Sequence, residues 1–455
     1  MNNPTALRPD KPQPRLDGPF QPGITDPQWP LEAPEGINPE RYLVERAGRI
    51  NPQRFLTIVA ADVQVPDRDA LQQVLRSITR FARYEMARHP VDNHVPVLEY
   101  LPPNYRVTVT VALGASLFAT AQGDDRFQLG AFRPRWLKTM PRVTGDAYEP
   151  ADHGTDFLFV IASDHPYVNM AIARSLIHGY VDKRLVIRRV EQGFSRPDKR
   201  EMLRFDDGVD NLSNARDLEL DRHVYIQTQD EEPAWCQNGT YLAWRKIREN
   251  LPVWEALRPP RPSTPETEPR HTSGQPTAQR EPPTEQENMI GRYKKDSMPL
   301  SKQSTGPGGL TPVFQHPPDA RETPFTAHIR KVQPRRQGLD LLGAEDLERR
   351  FLRRAYPYLD GLDENNALNC GLLFMAFARN LRKQFEWPIQ MWQTNPDFPV
   401  KDTGIDALYG RGILSNITGG YYFCPAAPQW ANDPDTPADA LPDYLAAALF
   451  AAPSA

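Results

Sequence analysis

A histidine, two neighbouring aspartates and a set of arginines are the residues of this chain whose types and spacing suit chemistry. His328 lies in His328-Ile-Arg330-Lys-Val-Gln-Pro334-Arg335. A neutral imidazole can ligate a metal or carry a proton, and the cations beside it suit the carboxylates of a bound cofactor. The same cations suit a solvated surface, and an isolated histidine is commonly an ordinary structural residue. Asp206 and Asp207 precede Gly208 in Arg204-Phe-Asp-Asp-Gly-Val-Asp-Asn211, a turn sequence able to present a carboxyl group. The nine histidines are dispersed, so spacing supports no multi-histidine metal site. The sequence contains no glycine-rich loop ending in GK[ST], no GxSxG and no HExxH, so the usual nucleotide, serine-hydrolase and zinc-protease signatures are missing.

The chain around these residues is long enough, at 455 residues, for two or three domains that each bury a core. A net charge of -4 with 25% charged residues provides no strong field for a nucleic-acid or membrane partner. Hydrophobic content of 39% and 48 prolines place part of the length outside any packed core. Cys236, Cys370 and Cys424 form no CxxC pair, which suits core packing in a reducing compartment. The opening Met1-Asn2-Asn3-Pro4 leads into no basic-then-apolar signal region, and no apolar run approaches the ~20 residues of a membrane span. The expectation is a cytoplasmic protein.

The elements that must position the chemical groups are legible in outline. Phe55-Leu-Thr-Ile-Val-Ala60 reads as a buried strand, and residues 69–89 carry Leu71, Val74, Leu75, Ile78, Phe81 and Ala82 at helical spacing. Tyr105 to Val111 alternates apolar and polar residues, predicting a half-buried antiparallel strand. A strand at 157–162, a helix at 168–178 and a strand at 184–190 complete a split βαβ order. A second unit opens with a strand at 240–248. It is interrupted at 258–288 by a proline-rich stretch without Leu, Ile, Val, Phe, Tyr or Trp, expected to be a solvated loop. Strands at 371–377 and 419–424 and an amphipathic helix at 381–392 follow. The predicted class is α+β, with two tandem ferredoxin-like domains of antiparallel sheet and helices, resembling a dimeric α+β barrel. The expected division is an extended arm at 1–40, a first domain at 41–225, a second at 226–440 and a tail at 441–455.

A series of short segments, in order, resembles the dye-decolourising peroxidase family. Asp207-Gly208 is similar to the end of its GxxDG segment, and Ile290-Gly-Arg292 to its IGR turn. His328-Ile-Arg330 with Pro334-Arg335 resembles its HIRxxxPR motif, and Leu352-Arg-Arg-Ala-Tyr-Pro-Tyr358 its RRGxPY stretch. Trp235, Gly239-Thr-Tyr-Leu242, Gly371-Leu-Leu-Phe374, Gln384-Phe385 and Gly419-Gly-Tyr-Tyr-Phe423 extend the likeness over about residues 50 to 430. One departure stands out: Arg204 replaces the leading glycine of GxxDG, at a position where glycine would permit a backbone conformation that arginine disfavours.

The resemblance implies a haem b peroxidase that uses hydrogen peroxide to oxidise dyes, phenols or other organic donors through a ferryl intermediate. It implies that His328 is the iron ligand, that Arg330 and Phe374 help bind the cofactor, and that Asp207 and Arg353 act on the peroxide side. Arg353 is preferred to its neighbour Arg354, and Asp206 is expected to point to solvent. Asp406 is the candidate partner that orients His328, with a turn or helix-capping role as the alternative. Because an aspartate stays ionised at lower pH than a histidine, an acidic optimum is expected. Arg204 keeps open a haem-binding protein with little turnover, serving storage, delivery or sensing, and a pseudo-enzyme acting as an assembly module. The arm and the tail offer routes to a homo-oligomer, or are solvated ends.

Overall fold

The computed structural model describes residues 19–25, 53–87, 106–120, 122–180, 184–196, 200–212, 217–257, 282–315, 318–429, 436–441 and 443–451. The β-branched run after Arg54 forms β1 (Phe55–Val63). Asp67 then accepts the amide of Ala70 at 2.8 Å and starts α1 (Arg68–Ala87). The apolar residues of α1, spaced three and four apart, all face inward: Leu71, Val74, Leu75, Ile78, Phe81 and Ala82 are buried. Strands β2 (Thr108–Gly114) and β3 (Phe157–Ser163), helix α2 (Pro166–Ser175) and strand β4 (Leu185–Phe194) complete the first half.

The second half repeats the plan with β5 (Thr240–Glu249), β6 (Leu352–Leu362), β7 (Leu368–Ala378) and β8 (Leu414–Cys424). Among the described residues between β5 and β6 the α-helices are all short: α3 (Leu251–Ala256), α4 (Glu285–Ile290) and α5 (His328–Val332). A further one, α6 (Ala407–Gly410), precedes β8.

All eight strands join one antiparallel sheet in the order β4-β1-β3-β2-β8-β5-β7-β6. Each half therefore has the ferredoxin-like order, its fourth strand beside its first and its third between its first and second. The halves meet where β2 pairs with β8, Gly114 opposite Tyr422 and Leu113 opposite Phe423. At the far edges β4 reaches β6: a side chain at Gly193 would bring its Cβ within 2.7 Å of the Tyr356 Cβ. Lys246 bridges the same seam, paired with Glu191 of β4 and, at 2.5 Å, with Asp360 of β6. The sheet is thus curled on itself. One core, including Leu56, Ile58, Val160, Trp244 and Met375, packs on its inner face, while α1 and α2 cover the other face of the first half.

Several expectations need correction. The strand predicted at 105–111 runs from Thr108 to Gly114 and is buried on both faces, not half-buried. Its threonine side is covered by residues 19–25 of the same chain. Gln21 bonds both ways with the Val111 backbone at 2.9 Å, and Thr110 donates to the Pro22 carbonyl at 2.6 Å. This is the one part of the expected arm among the described residues, and it lies on its own sheet. The expected loop at 258–288 ends early, because Thr284 and Glu287 form a capping box that starts α4; residues 258–281 lie outside the described residues. The helix expected at 381–392 is two π-helical stretches, Arg382–Glu386 and Pro388–Gln393. The supposed tail packs into the core through Tyr444, Leu445 and Leu449. The three cysteines are buried and unpaired. No helix among the described residues is long and apolar enough to cross a membrane.

Candidate active site

A cavity of about 300 Å³ opens on the outer face of the second half, and His328, Asp207, Arg353 and Phe374 all line it. Its floor follows from the pleat of the sheet. Arg245, Ile247 and Glu249 of β5, Leu372 and Phe374 of β7 and Arg353 of β6 point to this side. The residues between them point to the inner core. The same alternation separates the two adjacent arginines. Arg353 lines the cavity, while Arg354 turns inward to Gln53 at 2.9 Å and the Tyr356 hydroxyl at 3.2 Å.

One wall is built around His328, the first residue of α5. Its Nδ1 lies 2.7 Å from Oδ2 of Asp406, which is completely buried. Gln393 also donates to that oxygen at 3.1 Å, and the Leu408 amide donates to Oδ1 at 3.0 Å. Asp406 therefore caps α6 and fixes the imidazole at once. Because a carboxylate only accepts, Nδ1 carries the hydrogen, and Nε2 keeps its lone pair free for a metal.

Asp207 lines the same cavity, next to Arg353 of the floor. The Gly208 amide donates to Asp207 at 2.7 Å. Burial raises the Asp207 carboxyl above the usual aspartate range, while Arg353 and the Gly208 amide pull it back. Arg353 is held in place by its own backbone: Asn211 accepts its N–H at 3.0 Å and donates to its carbonyl at 2.8 Å. Its Nη2 donates to the Val209 carbonyl at 2.9 Å. The guanidinium is thus positioned with charge to spare toward the cavity.

Arg204 does adopt the conformation a glycine would supply, with φ +68°. A left-handed non-glycine residue costs on the order of 1–2 kcal/mol. The compensation comes from Glu201, whose carboxylate accepts the Leu203 amide at 2.6 Å and the Phe205 amide at 2.8 Å. The turn that presents Asp207 is therefore held by a side chain two residues before one amide and four before the other, without the glycine. Asp206 does not point to solvent as expected; it lines the cavity with Asp207.

Arg330 is a second correction. It does not line the cavity but donates to the carbonyls of Asp319 and Thr323, both at 2.7 Å, with its guanidinium against Phe314 and Phe325. Two residues after the ligand candidate on a short helix, it faces the protein and fixes the loop before α5. Arg335 is on the cavity instead, paired with Asp210.

The lining fits haem. The apolar side chains of Ile247, Ile329, Val332, Leu372, Phe374 and Leu408 offer walls for a flat macrocycle. Buried Nε and Nη2 of Arg245 and Nε of Arg335 have no hydrogen-bond acceptor, so carboxylates brought by a ligand would satisfy them. Sequence reasoning gave no site role to Arg245, Glu201 or Glu249. Arg245 and Glu249 had a signal, charged residues at i and i+4 on the strand face that should be apolar. Glu201 had none.

Comparison with known proteins agrees over both halves. Residues 50–195 match the family model described as Dyp-type peroxidase, N-terminal, and residues 198–259 and 276–429 match Dyp-type peroxidase, C-terminal. A deferrochelatase of Shigella flexneri is 28% identical over 398 residues, covering 83% of this chain and 82% of that protein. A deferrochelatase of Escherichia coli strain K12 is 27% identical, covering 83% and 81%. Ferric DtpA from Streptomyces lividans superposes with a TM-score of 0.67 at 23% identity, covering 99% of this chain and all of that one. A DyP-type peroxidase from Cellulomonas bogoriensis gives 0.62 at 22% identity, covering 89% and 96%. At these identities the superpositions speak for the fold.

Proposed function

This chain belongs to the Dyp-type peroxidase family, and we propose that it is a haem b peroxidase in which His328 ligates the iron and Asp207 and Arg353 serve the peroxide. The observation that carries the assignment is the placing of three groups on one cavity. An imidazole with its Nδ1 tied to a buried carboxylate lines it together with an acid and an arginine.

Bound haem would supply the iron at which peroxide is reduced and the two oxidising equivalents passed to an organic donor. The chain's own residues do the rest. His328, made a stronger donor by Asp406, would hold the iron through Nε2. Asp207 takes the proton from one peroxide oxygen and returns it to the other, the leaving one. Arg353 is charged at every working pH and stabilises the negative charge that builds on the leaving oxygen. The unsatisfied guanidinium atoms of Arg245 and Arg335 would receive the cofactor's carboxylates. Phe374 offers its ring to the macrocycle. Retention of both Asp207 and Arg353 on the cavity favours turnover over a storage or delivery role. Unpaired, buried cysteines support a cytoplasmic setting.

Absorption spectroscopy and dye oxidation test the assignment together. His328→Ala is expected to lose the Soret band, and Asp207→Asn to keep it while peroxide-dependent oxidation of an anthraquinone dye falls by about 10²–10⁴-fold. An unaltered spectrum in His328→Ala would overturn the ligand assignment.

A further inference from the structure

The first half of the chain reaches the cavity of the second through one buried side chain. Asp146 lies in the loop between β2 and β3; its side chain is completely buried and does not line the cavity. Its Oδ1 accepts Nη1 of Arg245 at 3.2 Å and Nδ2 of Asn416 at 2.6 Å. Its Oδ2 accepts the Val143 amide at 2.8 Å. With three donors on it, the carboxylate cannot turn from Arg245 without leaving a buried group unpaired. It is a fixed support.

Backbone pairing fixes the loop as firmly. Strand β8 bulges between Asn416 and Thr418: Asn416 pairs with Ile247 of the cavity floor, whereas Thr418 pairs with Lys246 on the inner face. The bulge thus turns Asn416 outward. There its amide donates to the Gly145 carbonyl at 2.9 Å, and its carbonyl accepts the Ala147 amide at 2.8 Å. Its Oδ1 accepts the hydroxyl of Tyr409, a lining residue, at 3.1 Å. Gly145 permits the approach: its φ is +96°, and a Cβ there would lie 2.3 Å from the Tyr409 ring. The loop of one half is keyed into the wall of the other.

The Arg245 guanidinium is anchored on one side only. Asp146 takes Nη1, the Phe385 ring lies 5.8 Å from the guanidinium carbon, and the buried Nε and Nη2 have no acceptor. Nε and Nη2 project hydrogens from one edge as a parallel fork, which matches the two oxygens of a single carboxylate. Resting on the haem reading above, we infer that Asp146 is a positioning residue that aims this fork at a carboxylate of the cofactor. The site in the second half is therefore completed by the first. Charge alone would disfavour the residue, since Asp146 repels an incoming carboxylate. Its contribution is orientation. A loose arginine would lose its rotamer freedom only when the ligand binds, whereas Asp146 imposes that order beforehand.

Titrations of the haem-free full chain with haem and with its dimethyl ester, whose carboxylates are capped, test this. The ratio of the two affinities separates the carboxylates from the rest of the pocket. Arg245→Leu should lower the ratio by about tenfold or more, the weight of a hydrogen bond to a charged group. Asp146→Asn keeps an acceptor for Nη1 and removes the repulsion, so the ratio should hold or rise. Asp146→Ala also removes the repulsion but releases the fork, so its ratio should fall at least about tenfold below that of Asp146→Asn. With Arg245→Leu already present, the two substitutions should differ by less than about twofold, because Asp146 acts through Arg245. In resonance Raman spectra the carboxylate-bending band of bound haem should move to lower frequency in Arg245→Leu and Asp146→Ala. It should stay in place in Asp146→Asn. Equal ratios in Asp146→Asn and Asp146→Ala, or a difference that survives without Arg245, would overturn the inference. If Asp146→Ala does not fold, a Raman band that moves in Asp146→Asn or stays in Arg245→Leu overturns it just as firmly. Failure of the haem reading looks different: neither porphyrin then gives a Soret band with the unaltered chain.

Discussion

The two halves of the sheet share one topology and differ in what covers it. On the first half the outer face of β1, through Val59, Ala61 and Val63, is sealed by the 20-residue α1 and its row of apolar side chains. On the second half the corresponding strand, β5, presents Arg245, Ile247 and Glu249 to a cavity. There the α-helices among the described residues between β5 and β6 are short, with His328 on α5. A duplicated fold thus has one copy filled by a helix and one left open, and the chemistry sits where the filling was withheld. The open copy also carries the strained and charged features that a packed face would not tolerate.

The comparison can be broken most directly at the filled half. Phe81 of α1, wholly buried against the sheet, should cost about 3–5 kcal/mol on replacement by alanine. Chemical denaturation would measure that loss, with the Soret band of the folded fraction unchanged. A spectrum that shifted with it would mean the halves are coupled through the sheet. In the open half the largest effect is expected in rate: Arg353→Leu should lower peroxide reduction by about 10²–10³-fold. It should also move the acid limb of the pH profile upward, because Arg353 opposes the burial that raises the Asp207 carboxyl. The sign is fixed by charge. Without the guanidinium, Asp207 ionises only at higher pH, so base activity is lost sooner as the solution is acidified. A downward shift would rule out Asp207 as the base.

Asp406→Asn keeps an acceptor for the α6 amides but removes the charge behind His328. Haem affinity should weaken by about 10–100-fold, read by titration of the haem-free protein. The smallest effect is predicted for Arg204→Gly. The left-handed backbone no longer meets a side chain, but the unfolded chain gains freedom, so stability should change by less than about 1 kcal/mol. Dye oxidation should change little, since Glu201 still holds the turn.

Much of this contrast was legible in the residues themselves. The run Phe55 to Ala60 and the spacing of Leu71 through Ala82 report local preferences that the packing reinforces, so strands and helix stood out. The ordered motifs located His328, Asp207 and Arg353 because each is tied to a short, fixed stretch of chain. What the sequence concealed depends on distant partners. The threonines of β2 read as solvent-facing, because nothing local says that Gln21, 90 residues earlier, covers them. Arg330 read as a cofactor ligand, since the carbonyls of Asp319 and Thr323 that claim it are supplied by the fold of the preceding loop. Glu201 and Glu249 reach the cavity from a turn and a strand end, with no motif to link them.

The docking of residues 443–451 constrains how the molecule is made. Tyr444 reaches Gln72 of α1 at 2.5 Å across 372 residues of sequence, and the Leu445 amide donates to Thr79 at 2.9 Å. During synthesis the first half emerges early and would ordinarily fold as a unit. Here Gln72 and Thr79 of α1 gain these partners only after the ribosome has delivered the whole catalytic half. A nascent chain stalled before residue 443 should therefore leave Gln72 and Thr79 of α1 without these partners, and assembly of the early half is completed last.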